Sequence, residues 1–213
     1  WERISDSFPK ELWVSRVIAS QHKKERVYVT LNGYRWDDFT AYVYISDDYG
    51  ITWKNISTNI PTSPVNVIKE DPVNPDLLYL GTDNGSYASL SRGAKWFPFS
   101  NGLPNVAVHD LVIQPEAKHL LLGTHGRSLY KANIAPLQLA TNDFDTKQTH
   151  VFPISNIRKR TGWGSTWSKW LKPNTPEITI SYFSDGAKKS TIDVYLADIR
   201  VNSFKVASEN GFN

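Results

Sequence analysis

One loop of the sequence concentrates side chains that could bind or cleave a sugar. The stretch NGYRWDDF, residues 32–39, combines large aromatic rings, a guanidinium and two adjacent carboxylates. Ring faces can stack on sugars and charged groups can bind hydroxyls, whereas acid catalysis on a glycoside needs two carboxyl groups about 5 to 10 Å apart. Asp37 or Asp38 could form such a pair with Asp83, but no spacing selects one of them, and an ordinary polar loop is the simpler interpretation. The candidate ligand-binding residues are Tyr34, Arg35, Trp36, Asp37, Asp38, Asp83, His125 and Arg127.

His125 and Arg127 enter this set through the stretch GTHGRSLY, residues 123–130. Together they could bind an anion. The structural alternative is that they hydrogen-bond backbone carbonyl groups at the inner end of a sheet, which the sequence favours because no further anion-binding residues are evident.

Composition excludes several kinds of chemistry. The 213 residues include no cysteine, which rules out disulfides, cysteine-ligated metals and thiol nucleophiles. The net charge of +3 is too small and too dispersed for a nucleic-acid surface, and no apolar run is long enough to span a membrane. No metal or cofactor motif is recognised, so none is expected. The absence of methionine and the start at Trp1 lead us to expect the interior of a longer protein.

Short alternating apolar runs separated by turn residues predict the elements that hold these loops. They indicate an all-β chain without an amphipathic helix. The runs also repeat: corresponding strands end at Thr30, Thr82 and Thr124, and Trp53 and Trp96 close the first two units. A period in the forties with about four strands per unit is typical of β-propeller blades.

The repeat predicts strands a, b, c and d in each blade. The third blade lacks its d strand, and WERI at residues 1–4 matches the d strands WKNI and WFPF, so it is expected to belong to a preceding blade. We expect about three blades over residues 1–135, then a connector and part of a small β-sandwich-like appendage over 136–213. The predicted strands are 14–20, 26–31, 41–46 and 52–56 in the first blade, 65–70, 77–82, 86–90 and 95–99 in the second, and 107–113, 119–124 and 128–133 in the third.

The octet SDDYGITW, residues 46–53, fits the pattern S-x-D-x-G-x-T-W. An aspartate followed by a glycine suits a tight turn, because the carboxylate can accept backbone N–H groups and glycine permits a positive φ. A second copy, SLSRGAKW at 89–96, has serine in place of the aspartate and could not perform carboxylate chemistry. The pattern therefore favours an architectural role over a catalytic one for Ser46, Asp48, Gly50, Thr52 and Trp53.

This octet resembles the Asp-box, or BNR, repeat of sialidases, sortilin-type receptors and xyloglucanases. The layout of the chain resembles the C-terminal part of large sortilin-like BNR-repeat proteins of the glycosyl hydrolase type, in which a last blade of the form GTHGRSLY precedes a connector and a small β-sandwich. The resemblance implies an extracytoplasmic protein, periplasmic or secreted.

Two functions follow from that resemblance. The first is a module that binds a polypeptide or a glycan on the rim formed by the b–c loops. The second is a glycoside hydrolase whose catalytic residues lie partly outside this sequence. Binding is favoured, because Arg35, Arg127 and Tyr34 are too few for the arginine cluster and tyrosine nucleophile of sialidase chemistry.

Two further surfaces carry expectations. Trp163, Trp167 and Trp170 lie among basic residues and could form a platform for a sugar or polyanion, but packing onto the flank of the propeller is the favoured interpretation. Three blades also leave open apolar faces, so remaining blades, a second chain or the 136–213 tail should cover them.

Overall fold

The structure, a computed structural model, describes residues 1–139, 149–154, 156–184, 186 and 188–213. Its described elements are strands, apart from a 3-10 turn at Tyr34–Trp36 and one helical turn, α1, at Ala135–Gln138. The all-β prediction is therefore confirmed.

The first blade is a four-stranded antiparallel sheet in sequence order, β1-β2-β3-β4. Its register places Val29 opposite Tyr44, so that alternate side chains face the neighbouring sheet. The strands lie close to their predicted positions, although the fourth is only two residues long. The bounds are β1 Trp13–Ala19, β2 Val27–Gly33, β3 Asp38–Ser46 and β4 Lys54–Asn55.

The second blade repeats this sheet, and the third has three strands in the order β11-β10-β9. No strand of the described residues pairs with the outer edge of β11, which agrees with the fourth strand missing from the sequence repeat. The bounds are β5 Val65–Glu70, β6 Leu78–Thr82, β7 Gly85–Ser89, β8 Phe97–Pro98, β9 Val108–Gln114, β10 His119–Thr124 and β11 Leu129–Asn133.

The three sheets pack face to face as consecutive blades of a partial β-propeller. One buried cluster joins the first blade to the second, with Tyr28 and Val43 against Leu80 and Trp96. A glycine lets the second and third blades approach each other closely: a Cβ on Gly81 would lie 2.9 Å from the carbonyl oxygen of Val108. The second cluster, between these two blades, contains Val67, Tyr79, Phe97, Val108, Leu111, Leu120 and Leu122.

The tail forms a three-stranded sheet in the order β12-β13-β16 and a separate hairpin of β14 and β15. Aromatic side chains of the small sheet complete the cluster behind the second blade, with the Phe183 ring 4.7 Å from Phe97 and the Phe212 ring 5.6 Å from Phe99. The tail thus covers part of the face that three blades leave open. The bounds are β12 His150–Val151, β13 Tyr182–Ser184, β14 Lys189–Leu196, β15 Ile199–Ala207 and β16 Gly211–Phe212.

Several expectations about the tail were wrong. The alternating stretches PEITISYF and TIDVYLADI, joined by SDGAKKS, predict a hairpin-like pair, but β13 pairs with β12 and β16 while β14 pairs with β15. The final stretch ENGFN has residue types that predict a turn, but it contributes β16. Trp167 and Trp170 are 94% and 95% exposed, so these two rings do not pack onto the flank of the propeller. Residues 140–148 of the connector lie outside the described residues.

The first b–c loop is also shorter than predicted. β2 continues to Gly33 and β3 begins at Asp38, so only the 3-10 turn and Asp37 separate the two strands. The backbone reverses there because Asp37 adopts the left-handed conformation, with φ 56°. The division at residue 135 stays a prediction.

Candidate ligand-binding rim

The three b–c turns lie at one edge of the blades, because the second strands of consecutive blades occupy equivalent positions. We call this edge the b–c rim. In the first blade it carries the 3-10 turn, in the second Asp83 and Asn84, and in the third residues 125–128.

The first blade presents a partly exposed group of aromatic rings at this rim. We call Trp13, Tyr34, Trp36 and Phe39 the aromatic ledge. The rings contact one another edge to face in two pairs. The ring centres of Trp13 and Trp36 lie 5.6 Å apart, and those of Tyr34 and Phe39 lie 5.9 Å apart. Tyr34, Trp36 and Phe39 nevertheless remain 57%, 52% and 42% exposed. Much of the surface of these three rings is therefore available for contact with a ligand.

Arg35 extends the ledge with a positive charge. Its guanidinium carbon lies 4.7 Å from the centre of the Trp13 ring, a cation–π contact that fixes the side chain. Its N–H groups can still donate to an oxygen-rich ligand beside the rings, since Arg35 is exposed.

A chain of amide hydrogen bonds connects the first and second blades beneath the rim. The amide nitrogen of Asn66 donates to the Asp83 carboxylate at 2.8 Å, and its oxygen accepts from Asn32 at 2.9 Å. Asn32 in turn accepts the backbone N–H of Tyr34 at 2.9 Å. Asn32 and Asn66 are buried, so this chain fixes the start of the 3-10 turn relative to Asp83.

Asp38 is occupied by bonds within its own blade. Its carboxylate accepts the backbone N–H of Thr40 at 2.9 Å and the hydroxyl of Tyr42 at 2.8 Å. The Thr40 hydrogen bond is the main reason that the pKa of Asp38 is lowered. Burial, and then the bond to Asp38, raise the pKa of Tyr42. Asp38 is therefore ionised near neutral pH, which suits hydrogen-bond acceptance and not the donation of a proton to a leaving group.

The third blade contributes a separate group of residues. The His125 ring lies 5.2 Å from that of His109, and Arg127 is exposed in the same turn. Arg16 of the first blade reaches Asp110 of the third at 2.9 Å, an ion pair between two a strands. The structure thus connects Asp83 to the backbone N–H of Tyr34 through the two asparagines of the amide chain, while His125 and Arg127 belong to the third turn.

The octets at residues 46–53 and 89–96 connect the third and fourth strands, at the ends of the sheets opposite to the b–c rim. The Asp48 carboxylate accepts the Thr52 hydroxyl at 2.6 Å, the Thr52 backbone N–H at 2.9 Å and the Ser46 hydroxyl at 2.8 Å. These bonds lower the pKa of Asp48 to about 2, and the bond from the Thr52 hydroxyl has the largest effect. In the second octet the Ser91 hydroxyl accepts the backbone N–H of Lys95 at 3.0 Å, the bond equivalent to that between Thr52 N–H and Asp48.

Sequence reasoning missed two carboxylates near the octet end, Glu70 and Asp71, both buried. Glu70 accepts the Tyr28 hydroxyl at 3.0 Å from the first blade. Asp71 accepts the amide of Gln138 at 2.9 Å, which ties the helical turn α1 to the second blade. Glu70 ends a predicted strand and Asp71 follows it, and neither position carried a signal that distinguishes these carboxylates from solvated turn charges.

Sequence reasoning also missed Asn66 and Trp13. Asn66 lies inside a predicted strand, where an asparagine gives no indication of the amide that it contacts. Trp13 lies just before a predicted strand, and only the fold brings it beside Trp36. Within the described residues, no group of three histidine or acidic side chains could hold a metal ion, and no helix is long and apolar enough to cross a membrane.

Comparisons with known proteins find partial structural likenesses only. No protein-family model and no curated protein matches the chain. An ancestral GH74 enzyme is 19% identical with a TM-score of 0.45, over 54% of this chain and 14% of that one. A GH74 enzyme of Niastella koreensis is 18% identical with a TM-score of 0.45, over 56% of this chain and 21% of that enzyme. The GH74 xyloglucanase from Xanthomonas campestris is 16% identical with a TM-score of 0.43, over 56% of this chain and 22% of that enzyme. The chain thus spans less than a quarter of each of these proteins, and likenesses of this strength do not bear on its activity.

Proposed function

We propose that the chain is a glycan-binding β-propeller module whose ligand lies on the b–c rim of the first two blades. The observation that carries the proposal is the aromatic ledge, in which Tyr34 and Trp36 are braced by neighbouring rings yet remain more than half exposed. An exposed ring held in one orientation can stack on the C–H face of a sugar with little loss of side-chain entropy.

Polar groups around the ledge suit the hydroxyls of a sugar. Arg35 offers donors and Asp37 offers acceptors in the turn that carries the rings, and both are exposed. Asp83 of the second blade would offer a further acceptor on the same rim, and the amide chain connects it to the backbone of Tyr34. A small number of fixed polar groups beside apolar faces is typical of sites that orient a ligand.

Binding is favoured over hydrolysis by the partners of the carboxylates. Asp38 is kept ionised by its hydrogen bonds from Thr40 and Tyr42. A general acid on a glycoside needs a raised pKa, which hydrogen-bond donors oppose. In this proposal residues 1–135 form Asp-box blades, 136–213 support them, and the module lies outside the cytoplasm, as the resemblance of the octets implies.

The test is a screen of soluble polysaccharides by affinity electrophoresis, followed by calorimetry with an oligosaccharide of the best ligand. We expect Trp36→Ala to weaken binding at least tenfold. The matched control is Trp170→Ala, which removes an equally large exposed ring from the tail and should leave the affinity unchanged.

Two results would overturn the proposal. Failure to retain any glycan, together with capture of extended peptides that Trp36→Ala abolishes, would make the ligand a polypeptide. Release of reducing sugar that is lost in Asp37→Ala, Asp38→Ala or Asp83→Ala would make the module a hydrolase.

A further inference from the structure

One segment of the tail exposes aromatic rings that the proposed glycan site does not use. Trp167 and Trp170 are almost fully exposed, and Leu171 beside them is more than half exposed. Large apolar side chains that are exposed together, and not scattered singly, mark surfaces that bind another protein, a ligand or a membrane. We call residues 165–173, which carry these three side chains, the tryptophan loop.

Backbone hydrogen bonds close the neck of the tryptophan loop. The N–H of Gly164 donates to the carbonyl of Asn174 at 2.9 Å, and the N–H of Asn174 donates to the carbonyl of Ser165 at 3.1 Å. Gly164 adopts a φ of 78°, a conformation that favours glycine because it has no Cβ. A short surface loop whose ends meet in this way is typical of Ω-loops, which are frequently functional.

A turn inside the loop holds the exposed side chains. The N–H of Leu171 donates to the carbonyl of Ser168 at 3.1 Å, and the N–H of Trp170 donates to the hydroxyl of Ser168 at 3.3 Å. Lys169 and Trp170 therefore occupy the two central positions of the turn, directly after Trp167. Because these two N–H groups already have acceptors, moving the turn into less polar surroundings costs less than moving an open backbone.

Positive charge is concentrated around the same rings. Residues 157–176 contain five lysines and arginines and no aspartate or glutamate, although the whole chain has a net charge of only +3. All five are exposed, and among the described residues no carboxylate forms an ion pair with them. The segment is therefore complementary to an anionic surface. The five cations are Arg158, Lys159, Arg160, Lys169 and Lys172.

The combination of rings and cations favours a lipid bilayer as that surface. An indole ring suits the level of the headgroups, because its apolar body can leave water while its N–H keeps a polar partner. Lysine can extend its apolar stem along the interface and keep its ammonium group in water. A soluble polyanion would pair with the cations, but it would offer no apolar phase to Trp167, Trp170 and Leu171.

We propose that the tryptophan loop attaches the chain peripherally to an anionic phospholipid bilayer. Trp167, Trp170 and Leu171 enter the boundary between headgroups and acyl chains, and Lys169 and Lys172 lie among the lipid phosphates. The basic residues at 158–160 add attraction that weakens as salt is added. Each lysine or arginine near an anionic lipid surface strengthens binding about fivefold, so charge and apolar contact act together in a reversible attachment.

The first test is sedimentation of the 213-residue chain with vesicles of phosphatidylcholine and phosphatidylglycerol in a ratio of about two to one. We expect binding to these vesicles and much weaker binding to phosphatidylcholine alone. Trp170→Ala should lower the partition coefficient about tenfold, because an indole no longer leaves water. The matched control is Tyr195→Ala, which removes an exposed ring from β14 of the same tail and should leave partitioning unchanged.

The second test separates the loop from general attraction of a basic protein. Lys169→Gln combined with Lys172→Gln should weaken binding to the anionic vesicles about tenfold or more. Lys188→Gln combined with Lys189→Gln removes the same charge from two other exposed lysines of the tail and should have a much smaller effect. Equal losses in the two double variants would contradict the assignment to the tryptophan loop.

The third test is entry of the rings into the bilayer. Brominated phosphatidylcholine in the anionic vesicles should quench part of the tryptophan fluorescence of the chain, and Trp167→Ala combined with Trp170→Ala should abolish that quenching. Binding without quenching, or unchanged partitioning of Trp170→Ala, would overturn the proposal. Retention on dextran sulfate with no binding to vesicles would make the partner a soluble polyanion. The loop shares no residue with the aromatic ledge, so none of these outcomes decides whether the ledge binds a glycan.

Discussion

The indole N–H of Trp53 donates to the carbonyl of Ile4 at 3.0 Å, and that of Trp96 donates to the carbonyl of Ile56. This repeated contact predicts unequal costs for the same substitution in the two blades. Trp96 is 2% exposed, and Trp96→Phe removes the donor that Ile56 accepts at 2.6 Å inside the interface. Loss of a buried hydrogen bond costs about 1 to 3 kcal/mol, and the smaller ring leaves a void that adds about 1 kcal/mol. Trp53 is partly exposed, so in Trp53→Phe water can reach the Ile4 carbonyl and the cost should be about 1 kcal/mol or less.

The assay is equilibrium unfolding in guanidinium chloride, with all proteins at one concentration because association would contribute to the apparent stability. We expect Trp96→Phe to lower the free energy of unfolding by about 2 to 4 kcal/mol without a change in the denaturant dependence. Each variant is the control for the other, since both remove the same atoms. Equal losses, or a larger loss in Trp53→Phe, would refute the argument that burial of the acceptor decides the cost.

Four further outcomes follow from the structure. Asp48→Asn should lower the melting temperature at pH 7, and the difference from wild type should vanish as the pH falls from about 4 to 2, because the folded pKa of about 2 lies below the unfolded value of roughly 3.9. Asp48→Ser, which copies Ser91 of the second octet, should be less harmful, since a hydroxyl can accept the same backbone N–H. Gly211→Ala should cost about 1 to 3 kcal/mol in urea unfolding, because φ is 107° and a Cβ would lie 2.9 Å from the carbonyl of Pro98. Asn66→Ala should cost a similar ~1 to 3 kcal/mol and increase amide hydrogen exchange at Tyr34, whose N–H depends on the amide chain.

The blades were predictable because local signals agree with the long-range structure. In β2 and β6, successive apolar side chains point to opposite faces of the sheet, and both faces are buried. The octets predict the turns between the third and fourth strands. The fourth strands were predicted too long, since Trp53 and Trp96 extend the apolar pattern by side-chain packing and not by ladder pairing.

The tail was predicted less well because its pairings are non-local. β13 pairs with β12 and with β16, far before and after it in the sequence, and no local pattern specifies such partners. The hairpin of β14 and β15 was missed for a different reason. Its turn passes through Ala197 at a φ of 50°, where glycine or asparagine would have signalled a reversal.

At the b–c rim, the sequence indicated which residue types were present but not how they are held. Tyr34, Trp36 and Asp38 were candidates because of their chemistry alone. The partners that decide their roles, Trp13 and Tyr42, could be identified only once the first three strands were paired. Prediction of an acid–base pair from adjacent aspartates fails for this reason, since a carboxylate's pKa depends on donors that the fold supplies.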